Sequence, residues 1–115
     1  MKAGEFIRQT RLTKGYSLRE FANMVDVSPT YMSKIERGEF APPSADKIIV
    51  IANKLGLNSD LLLAMAGKLS PELTEMILTH PAEISNLIRT VYNWKPEKII
   101  QLTHLIQNQL DAKPA

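Results

Sequence analysis

Apolar residues recur at three- and four-residue spacing along most of the chain, interrupted at intervals by serine, glycine and proline. That rhythm predicts an all-α protein of short helices. The densest set of signals lies in residues 17–38, SLREFANMVDVSPTYMSKIERG. Leu18, Phe21, Ala22 and Val25 make the inward face of one helix, which Ser17 can cap. Asp26 and Val27 form a turn, and Ser28 can cap a second helix. Pro29 falls in the first turn of that helix, where a missing amide hydrogen costs nothing, and Gly38 supplies a left-handed end. Two bounded helices in so short a span must cross steeply, as in a helix-turn-helix. Another helix is predicted before them, over about residues 5–14, ending at Gly15. A fourth follows the cap at Ser44, turns Ile48, Ile51, Ala52 and Leu55 inward and stops at Gly56. A fifth is capped by Asn58, presents Leu61, Leu62 and Met65 to the core and ends at Gly67. No strand-like alternation or internal repeat competes.

The pattern in residues 15–38, and more loosely 4–67, resembles the lambda-repressor-like, Xre-family DNA-binding domain of bacterial and phage regulators. The resemblance is carried by S-x-x-x-F-A at 17–22, V-S-P-x-Y-M-S-K-I-E-R-G at 27–38, P-P-S at 42–44 and A-x-K-L-G at 52–56. It implies a five-helix DNA-binding domain over residues 1–68 and double-stranded DNA as partner, and leaves residues 69–115 as a helical extension outside that domain. Two positions depart from the family pattern. Leu18 replaces a frequent glutamine that reaches a phosphate, and Asp26 replaces the usual turn glycine, a conformation Asp tolerates better than most residues.

In the second helix of the motif, Met32, Ile35 and Glu36 point inward, leaving Thr30, Lys34 and Arg37 as an outer stripe with Pro29, Tyr31 and Ser33 beside it. The resemblance places base contacts on Pro29, Thr30 and Lys34, with Tyr31 and Ser33 nearby. Lys34 could donate to guanine, and Thr30 could bond a base edge or set its methyl against thymine. Phosphate contacts are expected at the backbone and hydroxyl of Ser17, flanked by Arg19 and Arg37. The resemblance also gives Arg11 and Glu36 a structural role, as an ion pair between the first helix and the recognition helix.

Charge is consistent with this reading without establishing it. The net charge is +2, but the first 38 residues carry seven cations against four carboxylates, +3, and the rest is −1. Nucleic-acid binding needs a basic face rather than a basic whole. The loop after the recognition helix holds Glu39, Phe40 and Ala41, so a single copy should grip phosphate lightly. With 44% hydrophobic residues the 115-residue chain can bury a core. It has no apolar run long enough to span a membrane, and its amino terminus turns polar too early for a secretory signal, so a cytoplasmic protein is expected. There is no cysteine, and His80 and His104 are far apart, so no metal or cofactor is expected. No phosphate-binding glycine loop, nucleophile elbow or paired carboxylate motif suggests an enzyme.

In the extension, Pro71, Pro81 and Pro96 open three helices. Ile99, Leu102, Ile106 and Leu110 recur at helical spacing in the last, joined by Ile100 and Leu105, with Trp94 just before it. Together with Leu73, Met76, Ile77, Ile84, Leu87, Ile88, Val91 and Tyr92 these exceed what a small appendage needs to cover itself. The reading is a dimerisation module, against the simpler option that it completes the core of the first five helices. A homodimer would set two recognition helices on a palindromic operator, most simply as a repressor. Two other readings use the same motif. One is an antitoxin whose extension neutralises a toxin, and the other is a protein-interaction module that has given up DNA.

Overall fold

The computed structural model describes residues 1–39 and 41–111; Phe40, expected from the sequence in the loop after the recognition helix, lies outside them. The described residues form eight helices and no strand: α1 (Ala3–Thr13), α2 (Leu18–Met24), α3 (Pro29–Arg37), α4 (Ala45–Leu55), α5 (Ser59–Met65), α6 (Pro71–Thr79), α7 (Pro81–Val91) and α8 (Pro96–Asp111). Local chemistry explains most boundaries. The side chains of Ser17, Ser28, Ser44 and Asn58 each accept the backbone N–H three residues on, satisfying a donor that the helix itself cannot. Gly38 and Gly56 end α3 and α4 in the left-handed region, at φ 68° and 69°. Ser70 caps α6 in the same manner, its hydroxyl accepting from Leu73 N–H at 3.1 Å.

The chain divides into two compact units, Met1–Thr74 and Glu75–Ala115. The first thus continues past residue 68 into the start of α6. Ser70, Pro71, Glu72 and Leu73 share a surface cleft with Asp46 and Ile49 of α4 and with Ser59 and Asp60 of α5. The core of this unit draws on all five of its complete helices: Ile7 from α1, Phe21 and Ala22 from α2, Met32 and Ile35 from α3, four residues of α4, and Leu62 and Leu63 of α5, with Val25 from the turn. Full burial of the larger of these side chains, the alanines apart, contributes about 1.5–3 kcal/mol each. One inward position differs from the sequence pattern. Leu61 is 52% exposed and Leu63 is fully buried in its place. In a seven-residue helix the spacing of three leucines in a row does not decide which pair faces the core, and the packing of α5 on α4 does.

The second unit has α7, α8 and most of α6, and none of its described side chains is buried. Trp94 is half-buried with the Lys98 ammonium 4.7 Å from its ring centroid. Tyr92, counted with the apolar residues of the extension, is exposed. Ile99 and Leu102 are half-buried, whereas Ile100, Leu105, Ile106 and Leu110 are each about half exposed or more. No helix among the described residues is long and apolar enough to cross a membrane.

Candidate nucleic-acid interface

The helix-turn-helix depends on a reversal at Asp26. The Val27 N–H donates to the Ala22 carbonyl at 2.9 Å and the Asp26 N–H to that of Asn23 at 3.2 Å. Closing α2 in this way requires a left-handed residue, and Asp26, at φ 57°, is the non-glycine residue that takes it among those described. A second brace comes from α4, where the Lys47 ammonium donates to the Val25 carbonyl at 2.7 Å. This cation satisfies an orphan carbonyl at the negative end of α2. Twenty-two positions separate the two residues, so no local signal in the sequence could reveal the contact.

Helix α3 buries Met32, Ile35 and Glu36. At 3.6 residues per turn, Thr30, Lys34 and Arg37 fall on the side opposite to these three. Pro29, Thr30 and Arg37 are exposed, while Tyr31, Ser33 and Lys34 are half-buried. Behind this face, Arg11 of α1 holds Glu36 in a bidentate pair, with Nε to Oε2 at 2.7 Å and Nη2 to Oε1 at 3.0 Å. Its remaining Nη1 donates to the Tyr16 carbonyl at 2.9 Å. One guanidinium therefore ties α1, the loop before α2 and α3 together. Both side chains are buried, with 8% and 4% exposure, and the two carboxylate oxygens and three donor nitrogens are matched. Gly4 lets α1 approach this closely: a Cβ there would overlap the Ile35 carbonyl oxygen and stand 2.9 Å from that of Glu36. The sequence pattern assigns Gly4 no role, because nothing local marks a glycine inside a helix as a point of interhelical contact.

Ser17, Arg19 and Pro29 come together with Glu20, Asn23 and Val27 around one surface cleft between α2 and the start of α3. The structure thus joins two expected phosphate residues to the first expected base-reading residue, and adds Asn23, which the sequence pattern did not single out. It also corrects the chemistry at Ser17. The Ser17 amide, expected as a phosphate donor, instead donates to Glu20 Oε1 at 3.0 Å, while the Glu20 N–H donates to the Ser17 hydroxyl oxygen at 3.0 Å. This is a capping box, and it sets a carboxylate at the end of α2 where an anion is favoured. The Ser17 amide hydrogen bond, with the Ser17 hydroxyl beside it, holds the Glu20 carboxyl below its ordinary range. Arg37 is not in this cleft: it lies at the far end of α3, with its guanidinium 3.3 Å from Glu39. Trp94, Ile99, Leu102, Ile106 and Leu110 belong to the other unit.

Comparison with known proteins identifies the family of the first unit. The family profile described as a helix-turn-helix domain matches residues 4–68. An uncharacterized HTH-type transcriptional regulator of Mycobacterium tuberculosis is 39% identical over 74 residues, which are 64% of this chain and 52% of that protein. The transcriptional regulator ClgR of the same organism is 35% identical over 65 residues, 56% of this chain and 57% of that one. The crystal structure of the clp gene regulator ClgR from Corynebacterium glutamicum superposes with a TM-score of 0.50 at 30% identity, covering 77% of this chain and 85% of that one. The chain spans about half the length of the curated relatives it matches.

Proposed function

Because the chain belongs to the helix-turn-helix family of DNA-binding transcription regulators, we propose that it acts as a repressor, binding a palindromic operator as a homodimer through α3. The observation that carries this reading is the outer stripe of α3, braced from behind by Arg11. A helix whose buried face is locked to two neighbouring elements can present its other face to the major groove at a set angle, which base-edge hydrogen bonding requires. In this reading Pro29, Thr30 and Lys34 read bases with Tyr31 and Ser33 beside them, and Ser17, Arg19 and Arg37 meet phosphate. Lys34→Ala should then relax preference at one base position. Arg37→Ala should weaken binding to all sequences alike and reduce its salt dependence.

Pairing of two copies is favoured by the second unit. Its helices bury no described side chain, and its last helix carries Ile106 and Leu110 at 47% and 67% exposure. A second copy would remove this apolar surface from water through Ile99, Leu102, Ile106, Leu110 and Trp94, the residues to which we assign the dimer contact. Two-fold symmetry would then bring two recognition helices to half-sites about 34 Å apart, one turn of DNA.

Selection from a random duplex library with the full chain tests the first part: enriched sites should be two-fold symmetric, and failure to enrich any duplex would refute DNA recognition. Sedimentation at micromolar concentration tests the second. The full chain should sediment as a dimer and Ile106→Lys as a monomer. A monomeric full chain would refute the pairing.

A further inference from the structure

The pair at the end of α3 bears on how tightly that helix can hold DNA. Residues two apart on a helix do not face each other, yet Arg37 Nη2 is 3.3 Å from Glu39 Oε2. The left-handed Gly38, at φ 68°, turns the chain back on itself, and the Glu39 N–H donates to the Lys34 carbonyl at 3.0 Å. This closure pins the backbone of residue 39 beside the last turn. The Glu39 carboxylate thus adds its charge to the negative end of the helix dipole, at the position of the cation we assign to phosphate. Both side chains are about half exposed, so the pair contributes little to folding.

We propose that Glu39 is a built-in competitor of the DNA backbone, neutralising Arg37 in the free protein and repelling phosphate in the complex. The inference rests on the DNA-binding reading above. It makes residue 39 a determinant of affinity rather than of sequence preference. A restrained grip per chain is what makes binding depend on two copies at once, since each copy alone holds the duplex weakly.

The test is a salt titration of binding to a labelled random-sequence duplex by the full chain, as wild type, Glu39→Gln, Arg37→Ala and the double variant, each checked by thermal melting. Glu39→Gln should bind about two- to fivefold tighter per chain, the range set by an exposed ion pair. Its plot of log K against log salt should be steeper by about 0.9 per chain, as for one more phosphate neutralised. In the Arg37→Ala background the same change should give a clearly smaller gain, and melting should be unchanged by Glu39→Gln. Glu39→Gln with unaltered affinity and slope overturns the proposal while leaving DNA binding standing, and so does an equal gain in both backgrounds. A wild-type chain that binds no duplex even at low salt overturns this proposal and the DNA-binding reading together.

Discussion

Arg11→Met removes a guanidinium that makes three hydrogen bonds, two to Glu36 and one to the Tyr16 carbonyl. The Glu36 carboxylate is left at 4% exposure with no cation, and stranding a buried charge in this way costs about 3–5 kcal/mol. The 74-residue first unit has a stability of about 4–11 kcal/mol at typical values per residue. The variant should therefore lose about a quarter of its stability or more. Its melting temperature should fall by about 12 °C or more, at about 4–8 °C per kcal/mol for a domain of this size. The comparison that isolates the cause is Arg11→Met combined with Glu36→Leu, which replaces the pair by apolar side chains of similar reach. This double variant should recover most of the loss, because no charge remains buried. It should still lie about 1–2 kcal/mol below wild type, because the Tyr16 carbonyl has lost its donor. Urea denaturation followed by circular dichroism measures all three chains. Should Arg11→Met fall within 1 kcal/mol of wild type, or the double variant be as unstable as the single, the structural role of the pair is refuted.

Gly4→Ala should destabilise the first unit by about 1–3 kcal/mol, the usual cost of overpacking, because its Cβ meets backbone oxygens of α3 that no rotamer change can clear. A melting temperature equal to wild type would mean that α1 can move off α3 freely. Asp26→Gly should stabilise by about 0.5–1 kcal/mol, since it relieves a left-handed non-glycine residue at a modest cost in chain entropy; a fall in melting temperature would show that the Asp26 side chain is needed there. The Glu20 carboxyl is held below its ordinary value near 4.5 in the folded protein, so the folded state binds fewer protons than the unfolded one as pH drops through that range. Its contribution is present above the unfolded value and is lost as pH falls through the folded one. Glu20→Gln should accordingly be less stable than wild type at neutral pH and converge on it in acid, and a gap in melting temperature that persists in acid would contradict the assigned cause.

Much of the first unit could be read from local chemistry. Ser17, Ser28, Ser44 and Asn58 act as caps because a short side-chain oxygen reaches the third amide of its own helix, which needs no tertiary partner. The inward faces of α3 and α4 follow from spacing alone, since the buried residues recur on one side of each. The rest is not legible along the chain, because the pattern is degenerate or the contact is long-range. Leu61, Leu62 and Leu63 are chemically alike, and only the neighbouring helix distinguishes them. Ser17 is the cap its position predicts, but the engagement of its amide by Glu20 makes that nitrogen a poor phosphate donor.

The sequence by itself determined the kind of protein: helices of set length, a tight turn between two of them, and an outer stripe of polar and basic residues on the second. These depend on interactions within about four residues, so composition and spacing are enough to specify them. Only the tertiary structure decided how α3 is held and how its ends are charged. The Arg11–Glu36 pair, the Lys47 brace on Val25 and the approach at Gly4 join residues far apart in the chain. The pairing of Arg37 with Glu39 is close in sequence, but it depends on the left-handed turn at Gly38 bringing residue 39 beside the helix. In each case the energy comes from atoms meeting across a distance that spacing along the chain does not encode.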